Sequence, residues 1–206
     1  MKKYQKLDLL HALYIMAIVA AELMGSKTFS LSFISASVAI FVLPVTFSIN
    51  DIIFEVEGKE RALSFMRSGL QILFFLFFFN VIAVLLPPSS RFEPSNEAYS
   101  LIFSKSLRMT VASLIAFWVS ERMDIHVFSK IKERFAAQSF WLRSNLSNVL
   151  SMFADTSIFM FLAFYRPGNE LFLVSLIIPY WLLKISMSVI MTPISKKGIE
   201  WLQEEK

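Results

Sequence analysis

The sequence predicts an all-α integral membrane protein, a bundle of six transmembrane helices with both termini cytoplasmic. Three observations carry that prediction. Of 206 residues, 56% are hydrophobic and 17% charged, where a soluble domain has about 25% charged. The apolar residues fall in long blocks, not at the periods of half-buried helices or strands. Lysine and arginine are shared unevenly between alternate loops.

A span needs ~20 mostly apolar residues. In chain order the runs 9–26, 31–50, 63–86, 101–121, 148–166 and 170–192 qualify, within one membrane domain, 1–206. The basic start, Met1-Lys2-Lys3-Tyr4-Gln5-Lys6, could open a signal peptide, but no small-residue cleavage site follows before Glu22 and Lys27. The first run is therefore expected to stay as a helix. Pro87-Pro88-Ser89-Ser90 ends the third helix, since proline offers no N–H to continue it. Arg166-Pro167-Gly168-Asn169 is a turn between the last two.

One set of loops collects Lys2, Lys3, Lys6, Lys59, Arg61, Arg67, Arg122, Lys130, Lys132, Arg134, Arg143, Lys196, Lys197 and Lys206, fourteen in all. The other set has four: Lys27, Arg91, Lys105 and Arg166. The positive-inside rule then places both termini in the cytoplasm, and the expected location is the cell (inner) membrane, crossed several times. An even number of spans agrees. The stretch Glu121–Asn148 alternates apolar and charged residues and is expected to lie as an amphipathic helix on the membrane surface. The tail Ser195–Lys206 is expected to behave similarly.

Several chemistries are excluded or left without support. There is no cysteine, hence no disulfide or thiolate metal site. The five glycines form no phosphate loop. His11 and His126 sit on different elements without ligand spacing, and no Gly-x-Ser-x-Gly elbow is present. An enzyme is not expected, and neither catalytic residue, metal nor cofactor is assigned.

Four ionisable residues lie inside the apolar runs: Glu22, Arg108, Asp155 and Lys184. A charge at mid-bilayer costs about 2.5–3.5 kcal/mol on insertion scales, so such residues mark solute pathways or pair with one another. At ~1.5 Å per residue, Glu22 and Arg108 come ~7 and ~6 Å inside the outer surface. Asp155 and Lys184 come ~10 and ~13 Å inside the inner one. Depth therefore permits an outer pair and an inner pair. Paired charges could simply hold the bundle together; lining a polar pocket is the functional reading. Asn50 and Asp51 at the inner end of the second helix, and Asn148 at the inner start of the fifth, extend the candidate substrate-binding set. Ala17, Ala21 and Gly25 recur every four residues on the first helix, a stripe suited to internal packing, dimerisation or docking of an energising partner.

The run Ser48–Arg61 (Ser-Ile-Asn-Asp-Ile-Ile-Phe-Glu-Val-Glu-Gly-Lys-Glu-Arg) resembles the queuosine precursor transporter family, also called the VUT family. Ala20–Lys27, Arg108–Phe128, Trp141–Arg166 and the trio Tyr180, Lys184 and Pro193 resemble it too. The resemblance covers nearly the whole chain. It implies import of 7-cyano- or 7-aminomethyl-7-deazaguanine, or queuine, for tRNA queuosine salvage. The partners are then a small-molecule nucleobase and the lipid bilayer, with no direct nucleic acid. Asp51, Gly58, Arg61, Arg108, Asp155, Thr156 and Lys184 coincide with the family pattern, while several members carry Asn where this chain has Glu22. In such a pocket a carboxylate would accept the paired N–H donors of the base, and a cation or amide would meet its carbonyl. Asp155 is expected to read the donor edge, with Lys184 or Asn148 at the carbonyl and Glu22 with Arg108 on the outer route. The alternative is the substrate-binding subunit of an ATP-driven vitamin-type uptake complex.

Overall fold

The computed structural model describes residues 1–25, 27–31, 34–134 and 139–204. Six α-helices dominate: α1 (Lys3–Gly25), α2 (Leu43–Glu57), α3 (Lys59–Leu85), α4 (Glu93–Arg134), α5 (Phe140–Phe164) and α6 (Glu170–Gln203). Counting the 3-10 turn Val38–Phe41 together with α2, six segments are long and apolar enough to cross a membrane. Lys6 is buried and its ammonium donates to the carbonyls of Trp201 and Glu204, the latter at 2.8 Å. The first and last helices therefore share one end of the bundle, called here the terminal end; the opposite end is the far end.

Gly58 is all that separates α2 from α3, with φ of 88°, a conformation open to glycine at little strain. Its N–H caps α2 by donating to the Phe54 carbonyl at 3.1 Å. Helix crossings are close. A Cβ on Gly69 would stand 2.5 Å from Ile18 Cδ1 on α1, and one on Gly198 would stand 2.6 Å from Ile52 Cδ1 on α2. The main core lies toward the terminal end, around Leu10, Tyr14, Ile53, Phe65, Phe128 and Leu202. Exposed Phe74, Phe75, Phe78 and Phe79 leave one face of α3 for lipid.

Three expectations need correction. The predicted second span, 31–50, is not one continuous helix. Two strands, β1 (Thr28–Leu31) and β2 (Ile34–Ser37), form an antiparallel hairpin with Phe29 opposite Ala36, followed by the 3-10 turn and only then α2. Ser37 holds this junction: its hydroxyl donates to the Gly25 carbonyl at 2.7 Å and accepts from the Ala39 N–H at 3.1 Å. Ala36 and Ile40 pack with Met160, Ile177 and Tyr180, so the hairpin reaches two to three turns down α6 from its start. Non-helical backbone at membrane depth is tolerated where protein buries it or a cavity adjoins it.

The stretch Glu121–Asn148 is not a surface helix. α4 runs on without a break to Arg134, and Glu121, Asp124, Ile125 and Phe128 are buried along one face of it. A stripe at this spacing suits a bundle interior as well as a headgroup layer, and here the bundle takes it. Residues 135–138, part of the same predicted stretch, lie outside the described residues. The tail after 195 likewise continues α6 past Pro193, burying Ser195, Ile199 and Leu202.

Candidate functional site

Where α1 ends and the hairpin begins, helix is missing and space opens. A cavity of ≈ 90 Å³ lies there, lined by Glu22 and Gly25 of α1, Ser37, Ser113 of α4, Asp155 and Phe159 of α5, and Tyr180 and Lys184 of α6. Lys184 is buried, and its ammonium donates to Asp155 Oδ2 at 2.5 Å. The Lys184 ammonium also lies 5.1 Å from the centre of the Tyr180 ring. An unpartnered ammonium at this depth would be costly; a carboxylate at contact distance and an aromatic face offset that. Glu22, half-buried, accepts a 2.6 Å hydrogen bond from Thr110 Oγ1 instead of pairing with a cation.

A second cavity of ≈ 420 Å³ adjoins the first, sharing Gly25, Ser37, Met109, Phe159 and Tyr180, and extends to Arg166 and Asn169 in the far-end turn. Arg108 lines it. Its guanidinium donates to the carbonyls of Leu162 at 2.9 Å and Tyr165 at 3.0 Å, capping the end of α5, where carbonyls lack helical partners. The expected Glu22–Arg108 pair is therefore not formed. Each residue has found a partner on a neighbouring helix.

Below the cavity, toward the terminal end, side chains close a buried polar layer. Asp51 accepts from Ser144, and from Asn148 Nδ2 at 3.5 Å, while Asn148 also donates to Ser188 at 2.8 Å. Asp124 accepts from Ser147 at 2.5 Å and Ser151 at 3.0 Å. Glu121 accepts from Asn50 Nδ2, and from the Tyr14 hydroxyl at 3.2 Å. Ser120 bridges upward to Asp155 Oδ1 at 3.4 Å. One layer further, Glu55 of α2 binds Arg143 of α5 at 2.8 Å and Lys132 of α4 at 3.0 Å. Three helices are thereby tied together between the polar layer and the water.

The family described as "Putative vitamin uptake transporter" matches residues 37–196. The chain belongs to that family. It is also 29% identical over 178 residues to a protein of Bacillus subtilis (strain 168) described as "Probable queuosine precursor transporter", which covers 86% of this chain and 77% of that protein. No solved structure matches the chain. The protein is thus a multi-pass membrane transporter, not an enzyme.

In this transporter, Glu22, Asp155 and Lys184 come together in one cavity, Arg108 lines the adjoining one, and Asn50, Asp51 and Asn148 lie in the layer beneath. The inner Asp155–Lys184 pair forms as expected and the outer Glu22–Arg108 pair does not, and the inner pair shares a cavity with Glu22 for a physical reason. α5 starts at Phe140, eight residues before the predicted 148, which lifts Asp155 ~12 Å further from the terminal end. Helical spacing in the sequence marks the layer's remaining serines and threonine. Ser144, Asn148, Ser151 and Asp155 recur at helical spacing on α5, and Lys184, Ser188, Thr192 and Ser195 do so on α6. The Ala17 and Ala21 stripe is buried, and Ala21 and Gly25 line the cavity, so the stripe faces inward and offers no docking surface.

Proposed function

We propose that the transporter imports queuosine precursors, the 7-cyano- and 7-aminomethyl-7-deazaguanine bases or queuine, across the inner cell membrane for tRNA queuosine salvage. The observation that carries this is the convergence of two carboxylates, one ammonium and three aromatic rings (Phe117, Phe159 and Tyr180) on one cavity. A deazaguanine presents N–H donors on one edge, a carbonyl beside them and a flat face. Glu22 accepts from the donor edge or from a cationic aminomethyl arm, since no ion pair among the described residues occupies it. Lys184, held by Asp155, donates to the carbonyl. The refinement over the sequence expectation is that Glu22, not Asp155, is the carboxylate offered to the base. Asn50, Asp51 and Asn148 do not touch the base in this conformation; they close the floor beneath it. Arg108 fixes the end of α5 beside the entry.

The larger cavity alone falls in the about 300–1,000 Å³ range of small-molecule sites and leads to the far end. The fourteen-to-four distribution of basic residues puts the terminal end in the cytoplasm, so the far end faces outward and the base enters there. The inward stripe on α1 favours a carrier that works without an ATP-hydrolysing partner. Purified protein should bind at least one of the three bases and not guanine, and should carry it into liposomes with no other protein present. Lys184→Ala should lower affinity about tenfold or more, corresponding to loss of a charged hydrogen bond of about 1.5–3 kcal/mol. Wild-type affinity in that variant, or no binding of any of the three bases to the wild type, overturns the reading.

A further inference from the structure

Beneath the cavity lie three fully buried acids that substrate contact does not use: Asp51, Glu121 and Asp124. The salt bridges among the described residues go to Glu55, Glu57 and Asp155, and none to these three. Glu121 carries the clearest signal. It is 0% exposed, and Asn50 beside it is 1% exposed. The Asn50 amide N–H donates to one carboxyl oxygen, Oε2. The other oxygen, Glu121 Oε1, makes no hydrogen bond, and neither does Asn50 Oδ1. Both orphaned atoms are acceptors, on two side chains already joined by one bond. A single proton on Oε1 is the group they lack. Such a proton would turn the contact into the two-bond pairing of a carboxylic acid with an amide and give each buried acceptor the partner it lacks.

We propose that Glu121, paired with Asn50, is the proton-binding site that couples import of the base to proton entry. Its surroundings contain the parts of a route. On the cavity side, Ser120 joins Asp155 at 3.4 Å, and Asp155 holds Lys184. On the terminal side Asp124 follows one turn along α4 and Asp51 follows Asn50 on α2, each wrapped by serine hydroxyls of α5. The groups facing Glu121 are therefore Tyr14 from α1, Asn50 and Asp51 from α2, Asp124 on its own helix and Asp155 from α5. The cations Lys184, Arg143 and Lys132 bind Asp155 and Glu55. A proton arriving from the far side is taken up at Oε1 of Glu121 and leaves toward the terminal side as the layer opens.

The inference rests on the import reading, and one set of measurements separates the two. Purified transporter in liposomes containing a pH-sensitive dye is supplied with labelled 7-cyano-7-deazaguanine, whose side arm is uncharged. Exchange of labelled for unlabelled base moves no net proton and reports transport alone. An inside-alkaline gradient of one pH unit should drive about tenfold accumulation for one proton per base, with acidification of the lumen. Glu121→Gln, the isostere of the protonated acid, should keep exchange within about twofold while losing accumulation and acidification. Independently of transport, infrared spectra of the wild type should show a protonated carboxyl band that is absent in Glu121→Gln. Accumulation that follows a sodium gradient, a variant that still accumulates, or the absence of that band overturns the proton site. Failure of exchange by the wild type for all three bases overturns the import reading instead, and the infrared band still decides the site.

Discussion

The far and terminal halves of the bundle use similar side chains to opposite ends. In the far half, α1 stops at Gly25 and a hairpin with a 3-10 turn takes its place, leaving cavities beside Glu22, Asp155 and Lys184. In the terminal half all six helices run unbroken, and Asp51, Glu121 and Asp124 are enclosed by hydroxyls and amides. The difference lies in the backbone. A continuous helix brings a side chain every 1.5 Å to fill the interface, whereas a hairpin between helices fills less and leaves acids accessible to a solute. Access in this protein is set by where helix is absent more than by where charge is present.

Three experiments break or sharpen that contrast. The largest effect is expected at the Asp155–Lys184 pair. Asp155→Asn leaves a buried ammonium without its counter-charge and should destabilise the protein by about 3–5 kcal/mol. Adding Lys184→Met should recover most of the thermal stability but not uptake. If uptake returned with stability, the pair would be only a strut. Next comes Glu55→Gln, which removes both ion pairs that tie α2, α4 and α5 at the terminal side. Because the chain has no cysteine, a single Ser188→Cys reports access to the polar layer. Labelling from the terminal side should rise several-fold in the Glu55→Gln background; an unchanged rate removes Glu55 from any closing role. Smallest is Tyr14→Phe, which deletes one neutral hydroxyl donating to Glu121 and should lower stability by about 1 kcal/mol with uptake intact. A severe loss of uptake there would show that the layer admits no local change.

Much of the helical architecture was legible because hydropathy and loop charge integrate over many residues. The hairpin was not, since averaging over a span conceals period-2 alternation in Thr28-Phe29-Ser30-Leu31 and Ile34-Ser35-Ala36-Ser37. At the site, residue type identified Glu22, Arg108, Asp155 and Lys184, and depth counting then paired them wrongly in one case. Asp155 met Lys184, whereas Arg108 went to the carbonyls of Leu162 and Tyr165. Free carbonyls at a helix end compete for a guanidinium as well as a carboxylate does, and a sequence does not reveal which helix ends nearby. Glu121 and Asp124 read in the sequence as interfacial, because the charge-rich stretch around them resembles a water-facing surface until its register against α5 is known.

The buried Lys6 has a consequence for how the protein is made. Its acceptors, the carbonyls of Trp201 and Glu204, lie 195 and 198 residues further along the chain. Residues 3–25 are therefore synthesised well before the carbonyls that bind the cationic end of α1. Only when residues 201–204 are translated can that end be drawn into the bundle. Assembly thus closes as a ring, with an early segment locked by a late one, and a chain interrupted before residue 201 lacks the acceptors that hold Lys6.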